Sequence, residues 1–333
     1  MLENSTLSEL KDKKNLLAFS AGVDSTALFF LLTQHNIKFD IAIVNYGSRK
    51  QSQDEVAYAK ELAKQHNSTC HLLDAQKIDT NFESNAREIR YDFFEELIKE
   101  HRYDNLLTAH HLGDRFEWML MQFCKGAGCA ELAGMKTIEL RENYKLIRPL
   151  LHVDKNELLE YLNTNDIKYF EDKSNLDEGI KRNSFRHKYS NPLLKEHLDG
   201  IKKSFKYIDE DRDALIGDIK VKSIDNFAYF NNSNNVRSNI YAIDKYLKSQ
   251  KYMLTSNERE LLKTKETLVV GRKFVVVQNS DFVFIAPFSS QKINMTKEFK
   301  EQMRILKIEP KLRPYFYENR EVFQKIKELF TAI

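Results

Sequence analysis

At 333 residues the chain is too long for one ordinary hydrophobic core, so two domains, or three, are expected. Its 42% hydrophobic and 30% charged content describes a soluble globular protein, and no stretch approaches the roughly 20 apolar residues that span a bilayer. A net charge of +3 excludes little, while polar residues 1–14 and three cysteines (Cys70, Cys124, Cys129) without a Cys-x-x-Cys pair point to a cytoplasmic protein with no secretory leader.

The first informative element is an apolar run at residues 16–19, which reads as a buried strand. It breaks at Ser20-Ala21-Gly22-Val23, and an apolar helix opens at Asp24-Ser25 and runs to residue 34. A strand that turns through small residues into a helix start collects unpaired backbone N–H groups around one point. The helix dipole adds about half a positive charge there. Such a corner binds phosphate without a basic side chain. Gly22 is the expected seat of a positive φ. Ser20 and Ser25 add hydroxyl donors, and Asp24 suits the helix cap and can face Mg²⁺ carried by bound phosphates. The lysine of a Walker A loop is absent. Taken alone, residues 20–25 also fit a capped strand-to-helix turn of any α/β protein.

Strand-like runs follow at 41–45, 69–73 and 106–109, alternating with helical patterns at 52–66, 84–101 and 114–125. This alternation predicts a Rossmann-like parallel sheet with helices on both faces. In such sheets ligands bind at the carboxyl ends of the strands. The strand ending near Thr108 therefore delivers His110, His111 and Asp114 to the same rim as residues 20–25. Asp114 and Glu117, three apart, share one helix face; they fit equally a dipole-complementing carboxylate and an ordinary surface glutamate. A further helix is expected at 154–166.

Asn191-Pro192 punctuates the chain before a long amphipathic helix to about residue 215, and strands return at 268–271, 273–278 and 282–286. Residues 181–206 carry eight basic side chains against two acidic ones, Glu196 and Asp199. Such a run is either a solvated helix face or a surface for the phosphates of a nucleic acid.

The Ser20-Ala-Gly-Val-Asp-Ser25 hexapeptide resembles the Ser-Gly-Gly-x-Asp-Ser signature of the PP-loop ATP pyrophosphatases, with Ala21 where that family usually has glycine. The segment His110-His-Leu-Gly-Asp-Arg-Phe-Glu117, the Lys125-Gly-Ala-Gly128 behind it and Leu132-Ala-Gly-Met135 resemble the tRNA(Ile)-lysidine synthetase branch. So do Val44-Asn-Tyr-Gly-Ser-Arg49, Ala86-Arg-Glu-Ile-Arg-Tyr91, Arg148-Pro-Leu-Leu151, Glu171-Asp172 with Ser174-Asn175, and Arg182-Asn183 with Arg186-His187. The match covers about residues 14–195. Two further departures are Gly113 beside Asp114, where the branch usually has two aspartates, and Tyr46 in place of histidine.

The resemblance implies a catalytic nucleotide-binding domain over 1–194. A tRNA-binding region would occupy 195–333, helical over about 195–265 and β-containing over about 266–333. It implies an enzyme that uses ATP with Mg²⁺ to adenylate the wobble cytidine of tRNA(Ile), releases pyrophosphate, and lets free L-lysine displace AMP. Ser20, Ala21, Gly22, Val23, Asp24, Ser25, Asn45 and His110 are then expected to bind ATP, with Asp24 also at the metal. Asp24, Asp114 and Glu117 are the catalytic candidates, the last two for the lysine amine. Arg148, Arg182, Arg186, His187, Lys202 and Lys203 are expected to contact tRNA; for Arg148 a structural salt bridge is the equal alternative. No membrane partner is expected, and a homodimer is allowed. The competing readings are a thiolase-type PP-loop enzyme and a nucleotide-binding RNA module that has lost catalysis.

Overall fold

The computed structural model describes the chain except residues 48–50, 77, 79, 81, 172–178, 180, 217–218, 234, 292 and 332–333. The motif residues Ser48, Arg49, Asp172, Ser174 and Asn175 lie outside the described residues. Two compact units divide the chain, Met1–Asp209 and Glu210–Ile333.

The first unit is built on a sheet of β1 (Asn15–Ala18), β2 (Asp40–Asn45), β3 (Cys70–Asp74), β4 (Asn105–Leu107), β5 (Ile138–Leu140) and β6 (Lys145–Ile147), in the order β3-β2-β1-β4-β6-β5. All neighbours are parallel except β5, which pairs antiparallel with β6 at the edge. Short helix α1 (Asn4–Leu10) precedes the sheet, and α2 (Val23–Gln34), α3 (Gln51–Gln65) and α4 (Phe82–His101) link its first four strands. Adjacent residues of β1 serve opposite faces, as a period of two requires. Leu17 packs in a core with Leu28, Leu32, Ala59 and Leu158, while Leu16 packs with Phe94, Leu97 and Ile98 of α4. Both faces are covered, which is why the strands are continuous apolar runs.

Strand order reverses beside β1. The chain moves outward to β2 and β3, and α4 then returns it to β4 on the other side of β1. The loops leaving β1 and β4 diverge there, and that reversal is where open α/β sheets bind ligands.

After β4 come α5 (Leu112–Phe123), α6 (Cys129–Ala133), α7 (Lys155–Thr164) and α8 (Lys181–Phe185). A π-helical turn, Arg186–Ser190, leads into α9 (Asn191–Ile216). Leu194 and Phe205 of α9 pack with Leu112 and Phe116 of α5. Arg115, fully buried, lies 4.3 Å over the Phe205 ring, donates from Nε and a terminal nitrogen to the Ala133 carbonyl, and reaches Asp209 at 2.6 Å. These contacts fasten residues 191–209 to the first unit. The sequence reading sets a boundary at 194/195; the two compact units meet at 209/210.

The second unit holds a sheet ordered β7-β8-β11-β10-β9, antiparallel throughout: β7 (Lys222–Ile224), β8 (Phe227–Asn231), β9 (Thr267–Val270), β10 (Phe274–Gln278) and β11 (Phe282–Pro287). One face packs on α10 (Val236–Ser249) and α11 (Ser256–Leu262), with Val276 and Ile285 against Ile243 and Leu247. On the other, Val275, Val277 and Phe284 meet Phe299 and Met303 of α12 (Lys297–Ile305), Phe316 of α13 (Arg313–Glu318) and Phe323 of α14 (Arg320–Ile326). A last turn, α15 (Glu328–Thr331), follows. Within about 195–265, expected to be helical, the structure also holds β7 and β8; within the β-containing stretch of about 266–333, helices α12 to α15 follow the strands. Among the described residues no helix is long and apolar enough to cross a membrane.

Removing the Arg115 side chain strips the fork from Ala133 and Asp209. Arg115→Ala is expected to destabilise the first unit by about 3–5 kcal/mol, read as a lowered urea midpoint; a loss below about 1 kcal/mol would refute this account.

Candidate active site

The bend after β1 has unusual backbone geometry. Ala21, not Gly22, carries the positive φ, +59°, while Gly22 is extended at φ −77°, ψ 171°. The expected seat of the left-handed residue is thus corrected by one position. Alanine there costs roughly 1–2 kcal/mol. The strain is held from outside the bend, because the Phe170 amide donates to the Ala21 carbonyl at 2.9 Å and Gly22 pairs with Phe170 as a parallel bridge. A Cβ on Gly22 would meet Ser20 Oγ at 3.5 Å and the Phe170 carbonyl at 3.8 Å, ordinary contacts. The protein's own packing does not demand glycine at 22; its bare face leaves room for whatever enters the bend.

Gly22 is the N-cap of α2 and no side chain caps the helix. No capping side chain competes for the first-turn N–H groups, which have no partner inside a helix. Ser20 and Ser25 hydroxyls stand 3.1 Å apart, with the Ser20 amide donating to Ser25 Oγ at 3.2 Å. Asp24 Oδ1 is buried without a hydrogen-bond partner. Asn45, at the end of β2 on the same rim, donates to Asp74 at 2.8 Å and accepts the Gly47 amide at 2.9 Å.

The second corner follows β4. His110 Nδ1 lies 2.9 Å from Thr108 Oγ1. Burial pushes His110 down to about 4; Asp114 opposes this, and Arg148, Arg87 and Arg182 add to it. His111 is the N-cap of α5: its Nδ1 accepts the Gly113 amide and its own amide donates to Asp114. Burial alone would push the Asp114 carboxyl up, but His111, His110, Arg182 and the His111 amide together hold it well below the usual carboxylate range.

Asp114 and Glu117 are paired inside the protein. Arg186 Nε donates to Glu117 at 2.9 Å and its terminal nitrogen approaches Asp114 at 3.4 Å; Arg182 reaches Asp114 at 3.1 Å and donates through Nε to Glu117. Glu117 is 1% exposed, so these arginines are what make its burial tolerable. Residues expected to serve two different partners, lysine and tRNA, thus form one cluster.

Other expected contacts fare differently. Arg148 matches the salt-bridge alternative in its contacts: it is 5% exposed, donates to the Lys136 carbonyl at 2.8 Å and pairs with Glu139 at 3.1 Å. Lys202 is 2.7 Å from Glu157, the capping-box residue of α7. Lys203 is exposed beside Tyr207, and His187 is half-buried in the π-helical turn. Sequence reasoning missed Phe170, whose backbone sets the bend, and Arg115. Neither leaves a local signal, since both act on partners far along the chain.

A bend of small residues without a Walker lysine, set at the switch point of a mostly parallel sheet, is the arrangement of a PP-loop protein, and the PP-loop domain family matches residues 2–193. The tRNA(Ile)-lysidine synthases of Helicobacter pylori, Wolinella succinogenes and Campylobacter jejuni are 43%, 44% and 40% identical to the chain. Those alignments span 93%, 92% and 96% of this chain and 91%, 94% and 97% of the relatives. In fold, the chain is similar to the U34-tRNA thiolase NcsA from Methanococcus maripaludis with its 4Fe-4S cluster, at TM-score 0.50 and 20% identity, over 66% of this chain and 78% of that one. The chain belongs to the tRNA(Ile)-lysidine synthase family of PP-loop proteins.

Two substitutions at Ala21 test the physics of the bend. Ala21→Gly is expected to change stability by less than about 1 kcal/mol, because relief of strain is offset by a lost buried methyl and a freer unfolded chain. Ala21→Val, β-branched at a positive φ, should cost more than about 2 kcal/mol by chemical unfolding. For His110, the native state stays unprotonated down to about 4 whereas the unfolded chain protonates near 6.5. The unfolded state thus binds the extra proton between these values, so stability falls as pH drops from about 6.5 to 4 and no further from this group. His110→Gln should flatten that limb in a series of unfolding curves against pH.

Proposed function

We propose that the protein ligates lysine to the wobble cytidine of a tRNA(Ile) bearing a CAU anticodon, in the cytoplasm, with ATP as the activating substrate. The near-full-length similarity to tRNA(Ile)-lysidine synthases carries this reading. The placement of an uncapped helix start and a paired-carboxylate corner at one switch point gives it a physical basis. In the first step the cytidine 2-carbonyl oxygen attacks the α-phosphorus and the bond to pyrophosphate breaks. Charge moves onto the leaving group, where the first-turn N–H groups of α2 and the Ser20 and Ser25 hydroxyls meet it; in other enzymes one such donor supplies about 3–4 kcal/mol. In the second step the lysine ε-amine attacks C2, AMP leaves with the oxygen, and the amine gives up a proton.

Asp24 fits a magnesium ion that arrives with the triphosphate, because its buried Oδ1 has no protein partner and a phosphate-bound Mg²⁺ takes one or two carboxylates. Among the described residues no group of His, Cys, Asp and Glu could hold a metal by itself. Mg²⁺ would supply charge neutralisation at the phosphates. Asp114 and Glu117 suit recognition of the lysine ammonium. A carboxylate as strongly stabilised as Asp114 is a weak proton acceptor, so its part is binding rather than base catalysis. Exposed Lys195, Lys203 and Lys206 of α9 are the side chains offered to tRNA phosphates.

The test is mass spectrometry of the nucleosides recovered after ATP, lysine and a CAU tRNA are incubated with the protein. Cytidine should gain the mass of lysine less water, and AMP release should depend on lysine. Asp24→Ala should lose the product while still binding tRNA. Absence of a lysine-dependent product from the wild type would sink the reading.

A further inference from the structure

One buried imidazole stands between the two corners. His111 is 5% exposed, and because its Nδ1 accepts the Gly113 amide at 3.0 Å, the ring hydrogen belongs on Nε2. That nitrogen lies 3.9 Å from Asp24 Oδ2 and 3.6 Å from Asp114 Oδ2. Both distances exceed a hydrogen bond, so the ring acts as a spacer and a shared dipole between two carboxylates that would otherwise repel. Its place depends on residue 113: a Cβ there would come 2.7 Å from the ring's Cε1 and 3.0 Å from Nδ1. No real side chain tolerates such contacts, so any substitution at 113 moves the ring.

We propose that His111 is a positioning residue that sets the separation of Asp24, at the phosphate bend, from Asp114, at the carboxylate corner, and that Gly113 is the condition for its placement. This rests on the lysine-ligase reading above. The adenylated base and the amine must meet at one carbon, and a misplacement of about 1 Å can cost a hundredfold in rate. A ring packed between the two carboxylates controls that distance without touching a substrate.

Serine at 111 keeps a helix-capping oxygen but removes the ring. In the full-length protein, His111→Ser is expected to raise the lysine KM and to slow pyrophosphate release from ATP and tRNA, each about tenfold or more. Its thermal midpoint should stay within about 3 °C of wild type. Gly113→Ala should reproduce the kinetic loss when His111 is present and add nothing to His111→Ser, since the ring it displaces is gone. Should His111→Ser fail to fold, Gly113→Ala carries the test alone, and wild-type values of both parameters in it overturn the proposal. The proposal is overturned if folded His111→Ser keeps both parameters within about twofold, or if Gly113→Ala costs the same in both backgrounds. A wild-type control that makes no lysidine overturns the ligase reading instead.

Discussion

The reversal of strand order beside β1 constrains everything else in the first unit. With β2 on one side and β4 on the other, the two loops that leave neighbouring parallel strands diverge instead of stacking. Each feeds a helix whose first turn faces the opening between them, so two positive helix ends converge on one place. Asp24 and Asp114 occupy those two first turns, and each answers a dipole with a carboxylate. The site's electrostatics therefore begin in the backbone. Side chains refine a field that the winding of the sheet has already made.

The bend at Ala21 shows how that field is kept open to a ligand. A helix of this kind is ordinarily closed by a capping side chain, but here the cap is Gly22 and offers none. Local sequence does not hold the chain in this shape, because alanine resists the left-handed region. The hold comes from Phe170, beyond α7, through a parallel bridge to Gly22 that includes the bond from its amide to the Ala21 carbonyl. Strain at the site is balanced by pairing that arrives from a distant segment, as is usual where a fold over-determines a costly conformation.

The same division explains what the sequence made legible. The units β1–α2 and β4–α5 could be read because apolar runs, small residues and helix starts lie within a dozen positions of one another. Strands β5, β6 and β7 could not: they are as short as β4, but each of the three carries a charged residue and so shows no apolar run. Helix α12 escaped for the opposite reason: only Phe299 and Met303 of its residues are buried, and its charged majority hides the stripe. Arg148 and Arg182 left two readings open because a basic side chain looks the same in sequence whether it faces a phosphate or folds back onto a carboxylate, and in the structure both fold back onto carboxylates. Arg115 gave no warning at all. Its partners, Ala133 and Asp209, become neighbours only when α6 and α9 have packed.

That ambiguity bears on how an amine could be selected. Asp114 and Glu117 are already neutralised by two guanidinium groups, each in reach of both carboxylates. An ammonium entering this corner gains only the difference between its own ion pairs and those it displaces. Guanidinium forks are planar and fixed, whereas an ammonium is a compact point charge with three rotatable donors. Exchange of one for the other keeps the buried Glu117 compensated at every stage, which an empty carboxylate pair would not allow. Under the lysine-ligase proposal, the arginines and the ammonium would be alternative partners of the same two carboxylates.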